Sequence, residues 1–448
     1  MFGNAKNSLF PDFGHLICRR KDFGIFFTPD WVVDFMIELI PQELLSNSGR
    51  TIYILEPACG LAQFLRKIKE RYPHLNAKLL GVEINEEIFS QAISSKPQGI
   101  EIVKSDFLLF DPGYQFDLII GNPPYGIPSL SDHYTIKVDP DTKKKYKALF
   151  STWFGKYNVY GAFVEKSVRL LKEGGYLIFI IPATFLILDE FKKLRKFLSQ
   201  NGKARIIYMG SDIFKPFADV STVILIFTKS TKISHKFELL EYKDGKIIPV
   251  SFNENWKGEI ITFKTDFSLF LENLCRYKVG DIYEVKISPR TPEIKNSPYV
   301  VKSKMCPGDE FLPILSSKNL NCGDIKYENL SGYWIKKSDI KKLRVYFGFP
   351  HIVVGLGFRK DGKVASAIDK KCYPWMGDVY HLIRKNDLIN REFDLSDEEV
   401  VVYLNSDCVK RYVKDVYREI TYHLSITQIK SIPLPTKKEL EQIRKNEE

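Results

Sequence analysis

The chemistry that this sequence could perform centres on Gly121-Asn122-Pro123-Pro124-Tyr125. The amide oxygen of Asn122 and the backbone carbonyl of Pro123 could accept both protons of an exocyclic amine, and the ring of Tyr125 could stack on the base that carries it. Accepting both protons would free the lone pair of the amine nitrogen, which then becomes a nucleophile without a general base. A plain turn is the alternative, because Asn-Pro and Pro-Pro are common turn dipeptides.

A buried strand is predicted to position this motif. The run from 116 to 120 is mostly apolar and is followed by two prolines, which cannot continue a strand ladder because they lack the N–H group. The motif therefore stands on a rigid turn at the carboxyl end of a strand, where open α/β sheets bind their ligands.

Three earlier strands are each predicted to end at an acidic side chain. Strand patterns at 51–55, 78–82 and 100–104 alternate with helical patterns, which indicates a parallel sheet. The acidic residues that follow these strands are Glu56, Glu83 and Asp106. We therefore expect three carboxylates and the amide of Asn122 at one edge of the sheet.

This acidic edge favours a cationic cofactor over a nucleotide diphosphate. S-adenosylmethionine carries a sulfonium and an ammonium, a ribose diol that a carboxylate can bind, and an adenine amine that needs an acceptor. The glycine-rich dinucleotide fingerprint is absent, since Gly60-Leu61-Ala62 offers one glycine where that motif needs several. The sequence therefore predicts S-adenosylmethionine as the cofactor.

Composition and charge favour a polyanionic partner. The chain has 448 residues, 44% of them hydrophobic, and a net charge of +11 with a pI near 9.0. Its seven cysteines include no CxxC pair, so we expect reduced thiols and no metal site. There is no signal pattern and no run of about 18 apolar residues, which predicts a cytoplasmic, nucleoid-associated protein without a membrane partner.

Six further segments make a family resemblance specific. In chain order they are FFTPDWVVDFM, ILEPACGLAQFL, GVEINEE, SDFLLF, YGAFVEKSVRLLKEGGYLIFIIPATFL and FADVSTVILIF. Together with GNPPYG they resemble the gamma class of DNA adenine-N6 methyltransferases, and within it the TaqI-type members, over roughly residues 22–435. The resemblance implies site-specific transfer of a methyl group from S-adenosylmethionine to N6 of an adenine flipped out of double-stranded DNA.

The resemblance also implies roles by position. Asn122, Pro123 and Tyr125 would hold the flipped adenine. Glu83 would bind the ribose hydroxyls of the cofactor, and Asp106 would accept from its adenine amine. The other residues expected at the cofactor are Thr28, Glu56, Ala58, Gly60, Ile84, Phe107, Pro124 and Phe163.

A phenylalanine before a later strand would complete the stack on the target base. By alignment Phe214 is the better candidate and Phe217 the alternative, because this loop is one residue longer than in its relative. Ordinary core packing is the competing interpretation of either ring. Ala62 departs from the glycine that many relatives carry, and we expect its methyl group to be tolerated.

The predicted fold class is α/β: a Rossmann-like methyltransferase domain with a mixed sheet of about seven strands, followed by an α+β target-recognition domain. Thr28 is expected to cap a helix that starts at Pro29. Further helices are predicted at 163–171 and 186–198, and further strands at 176–181, 205–208 and 220–227. The predicted domains are an N-terminal arm at 1–20, a cofactor-binding catalytic domain at 21–262 and the target-recognition domain at 263–448.

Basic side chains on predicted loops and turns would contact DNA. The stretch after the motif carries Lys143, Lys144 and Lys145, and we expect a mobile loop that orders against phosphates. From 263 onward, 32 lysine and arginine residues against 26 acidic residues give a net charge of +6. The turn residues expected to reach bases and phosphates there are Arg290, Lys318, Arg359, Lys360, Lys370 and Lys371.

Several alternatives stay open at the level of sequence. The NPPY motif also occurs in RNA and protein-glutamine methyltransferases, although these would not need the second half of the chain. A DNA-binding protein with a vestigial fold is the non-enzymatic alternative, disfavoured because Asn122, Tyr125, Asp106 and Glu83 occur together. The resemblance suggests TCGA as the recognition site, a monomer, and a restriction-modification system whose endonuclease is a separate chain.

Overall fold

The computed structural model describes residues 28–46, 49–129, 135–215, 219–232, 235–358, 362–387, 392–421 and 423–447. The chain divides into two compact units, Met1–Thr262 and Phe263–Glu448. Over the described ranges, no helix is long and apolar enough to cross a bilayer.

Within its described residues, the first unit contains a nine-stranded mixed sheet. The strands of this unit, including a separate ribbon of β5 and β6, are β1 (Ile52–Glu56), β2 (Ala77–Glu83), β3 (Ile100–Lys104), β4 (Phe116–Gly121), β5 (Ile127–Ser129), β6 (Thr135–Lys137), β7 (Leu171–Pro182), β8 (Gly202–Gly210), β9 (Thr222–Lys229), β10 (Lys236–Lys243) and β11 (Lys246–Asn253). The order in the sheet is β11-β10-β8-β9-β7-β4-β1-β2-β3. Strands β3, β2, β1, β4 and β7 are parallel, whereas β9 is antiparallel to both of its neighbours.

Helices join these strands, and their buried residues follow helical spacing. In the helix after β1, for example, Phe64, Leu65 and Ile68 form the buried stripe. The helices of this unit are Asp30–Glu38, Gln42–Leu45, Gln63–Arg71, Glu86–Ser95, Pro140–Leu149, Tyr160–Leu170 and Lys192–Asn201, with 3-10 turns at Ala183–Leu186 and Asp189–Phe191.

Strand β4 lies in the middle of the sheet, and all six of its residues are buried. Its one charged residue, Asp117, is 2% exposed and accepts from the backbone N–H of Tyr53 at 2.9 Å. Arg50 and Lys172 form ion pairs with the same carboxylate at 2.9 and 2.7 Å. A buried charge is tolerated only when it is paired in this way, so these contacts fix the strand that carries the motif.

The predicted α/β class with a mixed sheet is confirmed, but the strand count was too low. Strands β10 and β11 follow the last strand predicted from the sequence, at 220–227, and no strand was predicted for them. Strand β11 is paired on one side only and is mostly exposed, so it lacks the apolar alternation by which strands are recognised. The helix predicted at 186–198 is two 3-10 turns followed by Lys192–Asn201.

Two local predictions near the motif are wrong. Thr28 does not cap a helix: the first helix among the described residues begins at Asp30, Pro29 is its N-cap, and no side chain caps it. The basic stretch after the motif is not a loop, because it contains β5, β6 and the helix Pro140–Leu149. Asp139 caps that helix by accepting from the N–H groups of Asp141 and Thr142, and a proline at the first helical position favours its start.

The second unit combines small sheets with helices. Its strands are β12 (Tyr277–Lys278), β13 (Tyr283–Ile287), β14 (Val300–Lys302), β15 (Phe311–Pro313), β16 (Leu315–Ser316), β17 (Leu320–Asn321), β18 (Asp324–Ile325), β19 (Tyr333–Lys336), β20 (His351–Phe358), β21 (Val364–Asp369), β22 (Trp375–Met376), β23 (Val379–Arg384) and β24 (Pro433–Leu434). Its helices are Asp266–Leu274, Val279–Ile282, Thr291–Lys295, Asp397–Leu404, Asp407–Tyr417, Ile426–Ser431 and Lys437–Glu447, with 3-10 turns at Ser317–Asn319 and Ile340–Lys342. The main sheet is antiparallel, in the order β13-β23-β20-β21.

A buried chain of hydrogen bonds crosses this sheet. Ser288 Oγ lies 2.9 Å from His381 Nε2, His381 Nδ1 lies 2.8 Å from His351 Nε2, and His351 Nδ1 lies 2.8 Å from the carbonyl of Phe349. All three contacts are hydrogen bonds if both imidazoles are neutral and protonated at Nδ1. His351 then donates to Phe349, His381 donates to His351, and Ser288 donates to His381. Burial lowers the pKa of both rings, that of His381 to about 3.

We expect this pair to make stability depend on pH. Unfolded histidines take up protons near pH 6.5, whereas His381 in the fold resists protonation until about pH 3, so the unfolded state binds more protons in between. The stability that the buried histidine pair contributes is therefore fully present above pH 6.5, and it is lost as the pH falls toward 3. The urea midpoint, measured from about pH 7 to 4, should fall more steeply for the wild type than for His381→Gln.

His423→Gln is the matched control, because His423 is exposed. Its midpoint should follow the wild-type pH dependence. Equal slopes for the wild type and His381→Gln would contradict the proposed role of the buried pair.

Candidate functional site

A cavity of about 990 Å³ lies at the carboxyl ends of β1, β2, β3 and β4. Parallel strands bring these ends to one edge of the sheet, which is where α/β folds bind ligands. The ten residues predicted at the cofactor all lie in the cavity wall: Thr28, Glu56, Ala58, Gly60, Glu83, Ile84, Asp106, Phe107, Pro124 and Phe163. Asn122 lies in the same wall. The roles assigned to these residues stay predictions.

The loop after β1 depends on backbone conformations that favour glycine. Gly60 has φ +52°, and its N–H donates to Glu83 Oε2 at 2.9 Å. Ala62 also has a positive φ, of 59°, and this conformation costs about 1 kcal/mol relative to glycine. Its methyl group is fully buried. Cys59 is buried in the same loop against Gly81, where a Cβ would come within 2.8 Å of its Sγ.

Glu83 connects two loops of the cavity wall. Its Oε2 accepts from Gly60, and its Oε1 accepts from the N–H of Asn85 at 2.8 Å. Asn85 in turn caps the helix Glu86–Ser95. Burial raises the pKa of Glu83, and the bonds from Asn85 and Gly60 oppose that rise because they stabilise the carboxylate.

Glu56 adds a second buried carboxyl group. It is 2% exposed and accepts from the N–H of Leu65 at 3.2 Å. Burial raises its pKa well above the usual range, the N–H groups of Leu65 and Phe64 oppose this, and nearby Glu83 raises it further. A cation in the cavity would offset the desolvation of both carboxylates.

Asp106 is held at both of its oxygens. Its Oδ1 accepts from the N–H of Leu108 at 2.9 Å, and its Oδ2 accepts from the hydroxyl of Tyr146 at 2.7 Å. Beside it, the rings of Phe107 and Phe163 pack with centroids 5.1 Å apart.

Tyr146 is a wall residue that the sequence analysis missed. The lysine-rich context led to a loop prediction, but Thr142, Tyr146 and Phe150 recur every four residues. That spacing after an Asp-Pro start was the available helix signal.

The NPPY turn presents only part of itself to the cavity. Asn122 Nδ2 donates to Thr28 Oγ1 at 3.1 Å. Tyr125 is buried, and its hydroxyl donates to the carbonyl of Ile180 at 2.9 Å, while burial raises its pKa well above the usual range. Asn122 and Pro124 belong to the cavity wall, whereas Pro123 and Tyr125 are buried beside them.

The structure brings Phe214 to Tyr125, but not as a parallel pair. Their ring centroids are 6.1 Å apart and the rings meet edge to face at 76°, with Phe214 3% exposed. Phe217 lies outside the described residues, so the choice between the two phenylalanines stays a prediction.

Most residues predicted to contact DNA are exposed, as such contacts require. Those described as exposed are Lys144, Lys145, Arg290, Lys318, Lys370 and Lys371. Lys143 is half-buried instead, and its ammonium donates to the carbonyl of Pro128. Arg359 and Lys360 lie outside the described residues.

The cavity wall fits S-adenosylmethionine. Buried carboxylates suit its two positive groups, and the exposed side chain of Ile84 is an apolar surface of the kind that an adenine ring would pack against. In the described part of the chain, no group of three His, Cys, Asp or Glu side chains has the geometry to hold a metal ion.

The sequence of this chain matches a family and relatives that are methyltransferases. Residues 39–214 match the Eco57I restriction-modification methylase family, and residues 312–434 match the TaqI-like C-terminal specificity domain. The chain is 39% identical to a Type II methyltransferase of Thermus thermophilus, over 96% of this chain and 95% of the relative. It is 30% identical to the modification methylase CviBIII of Paramecium bursaria Chlorella virus NC1A, over 56% of this chain and 61% of the relative.

A solved structure supports the fold. The Type IIL restriction-modification enzyme MmeI in complex with DNA aligns with a TM-score of 0.56 and 11% identity, over 92% of this chain and 68% of that chain. At this identity the likeness concerns architecture alone.

We expect Glu83→Gln to weaken binding of S-adenosylhomocysteine by roughly tenfold to a hundredfold, measured by calorimetry without DNA. The amide keeps one oxygen, but its NH2 group would face an N–H donor of Gly60 or Asn85, and the charge is lost. Glu86→Gln is the matched control, because Glu86 is exposed and pairs with Lys104 at the surface. Equal affinity of the two variants would contradict the role of Glu83.

Proposed function

The chain belongs to the Type II restriction-modification DNA methyltransferases, and from this membership we propose that it methylates N6 of adenine in double-stranded DNA. The predicted likeness to TaqI-type DNA methyltransferases is thereby confirmed at the level of the restriction-modification family, and S-adenosylmethionine is its cofactor. One observation carries the finer proposal: Asn122 lies in the same cavity wall as Glu83 and Asp106. An amine held by that amide would therefore meet the cofactor.

The carboxylates of the wall would hold the cofactor. When bound, S-adenosylmethionine supplies a methyl group on an electrophilic sulfonium. Glu83 would accept from the ribose hydroxyls, and Asp106 would accept from the adenine amine. The pair of Phe107 and Phe163 supports this assignment, because an apolar surface beside Asp106 suits a base.

The NPPY turn would activate the target amine. Because the amide nitrogen of Asn122 donates to Thr28, the amide oxygen is the atom of this side chain that would accept from the amine. The carbonyl of Pro123 would accept the second proton, and two rigid prolines keep both acceptors in a fixed direction. Accepting both protons would leave the nitrogen lone pair free to attack the sulfonium methyl in line, so no general base is needed before the attack. The N–C bond would form as the bond from the methyl group to sulfur breaks, which releases S-adenosylhomocysteine, and the methylated nitrogen would then lose one of its protons to solvent.

The target adenine would be flipped out of the duplex and stacked on Tyr125. Flipping costs a few kcal/mol, and a stack on an aromatic ring returns ~1–3 kcal/mol. The edge-to-face contact of Phe214 with Tyr125 leaves no room for a base between parallel rings. We infer that Phe214 turns away from Tyr125 as the base enters, and then covers its second face.

The second unit would select the site on DNA. Its match to the TaqI-like specificity domain supports TCGA as the recognition sequence, and exposed Arg290, Lys318, Lys370 and Lys371 would supply contacts to phosphates and bases. We propose that the protein acts at the nucleoid as a monomer and that its partner endonuclease is a separate chain.

Methyl transfer to defined acceptors tests the function. Purified protein and tritiated S-adenosylmethionine would be incubated with unmethylated duplex DNA, RNA and a protein-glutamine substrate. The proposal expects label in duplex DNA, and single-molecule sequencing of that DNA should find N6-methyladenine within one short sequence. Label only in RNA or protein would refute it.

Asn122→Ala should lower the methylation rate by roughly a hundredfold to a thousandfold, because a preorganised acceptor is lost. Cofactor affinity, measured by calorimetry, should stay close to the wild type. Asn122→Asp retains an acceptor oxygen and should therefore keep more activity than the alanine variant. Full turnover by Asn122→Ala would remove the proposed role.

Phe214→Ala should slow methylation of a matched duplex by roughly tenfold, since one side of the stack is lost. The loss should be smaller on a duplex whose target adenine is mispaired, because a mispaired base costs less to extrude. Single-turnover rates on the two duplexes provide the comparison. An equal loss on both would instead indicate that Phe214 only packs the core.

A further inference from the structure

The hydroxyl of Tyr146 contacts Asp106 inside the cofactor cavity. Tyr146 is 4% exposed, and its hydroxyl donates to Asp106 Oδ2 at 2.7 Å. Both side chains line the cavity. Burial, followed by the charge of Asp106, raises the pKa of Tyr146, so the phenol is protonated at neutral pH and can donate to the carboxylate.

The contact completes the support of one carboxylate. Because Leu108 donates to Oδ1 and Tyr146 donates to Oδ2, neither oxygen can rotate out of place without breaking a bond. Each carboxylate oxygen has a second lone pair, so Oδ2 can accept from Tyr146 and from a ligand amine together. Tyr146 therefore supports Asp106 without using up its capacity as an acceptor.

The helix that carries Tyr146 is itself fixed in place. Asp139 caps its first turn, and the ammonium of Lys143 donates to the carbonyl of Pro128 in β5. A side chain near the middle of an anchored helix holds its geometry better than one on a loop.

We propose that Tyr146 is a positioning residue for the cofactor: it orients the Asp106 carboxylate toward the adenine amine and thereby selects a 6-amino purine. The inference rests on the proposed contact between Asp106 and that amine. A 6-oxo purine would turn an oxygen toward a carboxylate that cannot move away, and two acceptors facing each other are unfavourable.

Two ligands separate positioning from general stability. S-adenosylhomocysteine carries the 6-amino group, and S-inosylhomocysteine carries a 6-oxo group in its place. Calorimetry without DNA gives the ratio of their dissociation constants. A merely structural role of Tyr146 would weaken both ligands equally and leave this ratio unchanged.

The matched control is Tyr176→Phe. The Tyr176 hydroxyl donates to Glu43 Oε1 at 3.0 Å, so this change also removes a phenol from a carboxylate. Neither Tyr176 nor Glu43 belongs to the cavity wall. The affinities of this variant for both ligands should equal those of the wild type.

Tyr146→Phe should weaken S-adenosylhomocysteine binding by roughly tenfold and lower the preference for the 6-amino ligand by a similar factor. Asp106→Ala should abolish the preference. If Asp106→Ala keeps it, the assumed contact of Asp106 with the amine is wrong. If Asp106→Ala loses it while Tyr146→Phe retains the wild-type ratio, or binds the 6-amino ligand more tightly, Tyr146 is not a positioning residue.

Discussion

The site depends on how Glu83 is held by backbone N–H groups. Its two oxygens bind Gly60 and Asn85, so one carboxylate fixes both the loop after β1 and the start of the helix after β2. Burial raises the pKa of Glu83, and the same bonds oppose that rise because they stabilise the carboxylate. If these bonds were absent, the loop would lose a support and one of the carboxylates of the cavity wall would be harder to ionise, because both effects come from one side chain.

The NPPY turn obtains its rigidity from a different source. Strand β4 lies at the centre of the sheet, and Asp117 is clamped by Arg50 and Lys172 at the amino end of that strand. Two prolines stiffen the other end. The proposed acceptors, the amide oxygen of Asn122 and the carbonyl of Pro123, are therefore positioned by the sheet rather than by a ligand, as the proposed catalysis by preorganised hydrogen bonds requires.

Features with a local sequence signal could be predicted, and those set by tertiary packing could not. Glu83 and Asp106 could be predicted because each follows an apolar strand pattern in the sequence. Parallel strands bring such ends to one edge of the sheet. The edge strand β11 was missed because its exposed residues show no period. Tyr146 was missed within a lysine-rich run, and the edge-to-face geometry of Phe214 follows from packing that no local pattern encodes.

Because Cys59 is buried, the rate at which a thiol reagent modifies it would report motion of the loop after β1. Burial raises the pKa of this thiol, and its sulfur is wedged against Gly81, so a thiol reagent cannot react with it while the loop is in place. Cys306 and Cys322 are exposed and would be alkylated first. Slow modification of Cys59 would then report the openings of the loop, and a bound cofactor should slow the reaction further, because Cys59 belongs to the cavity wall.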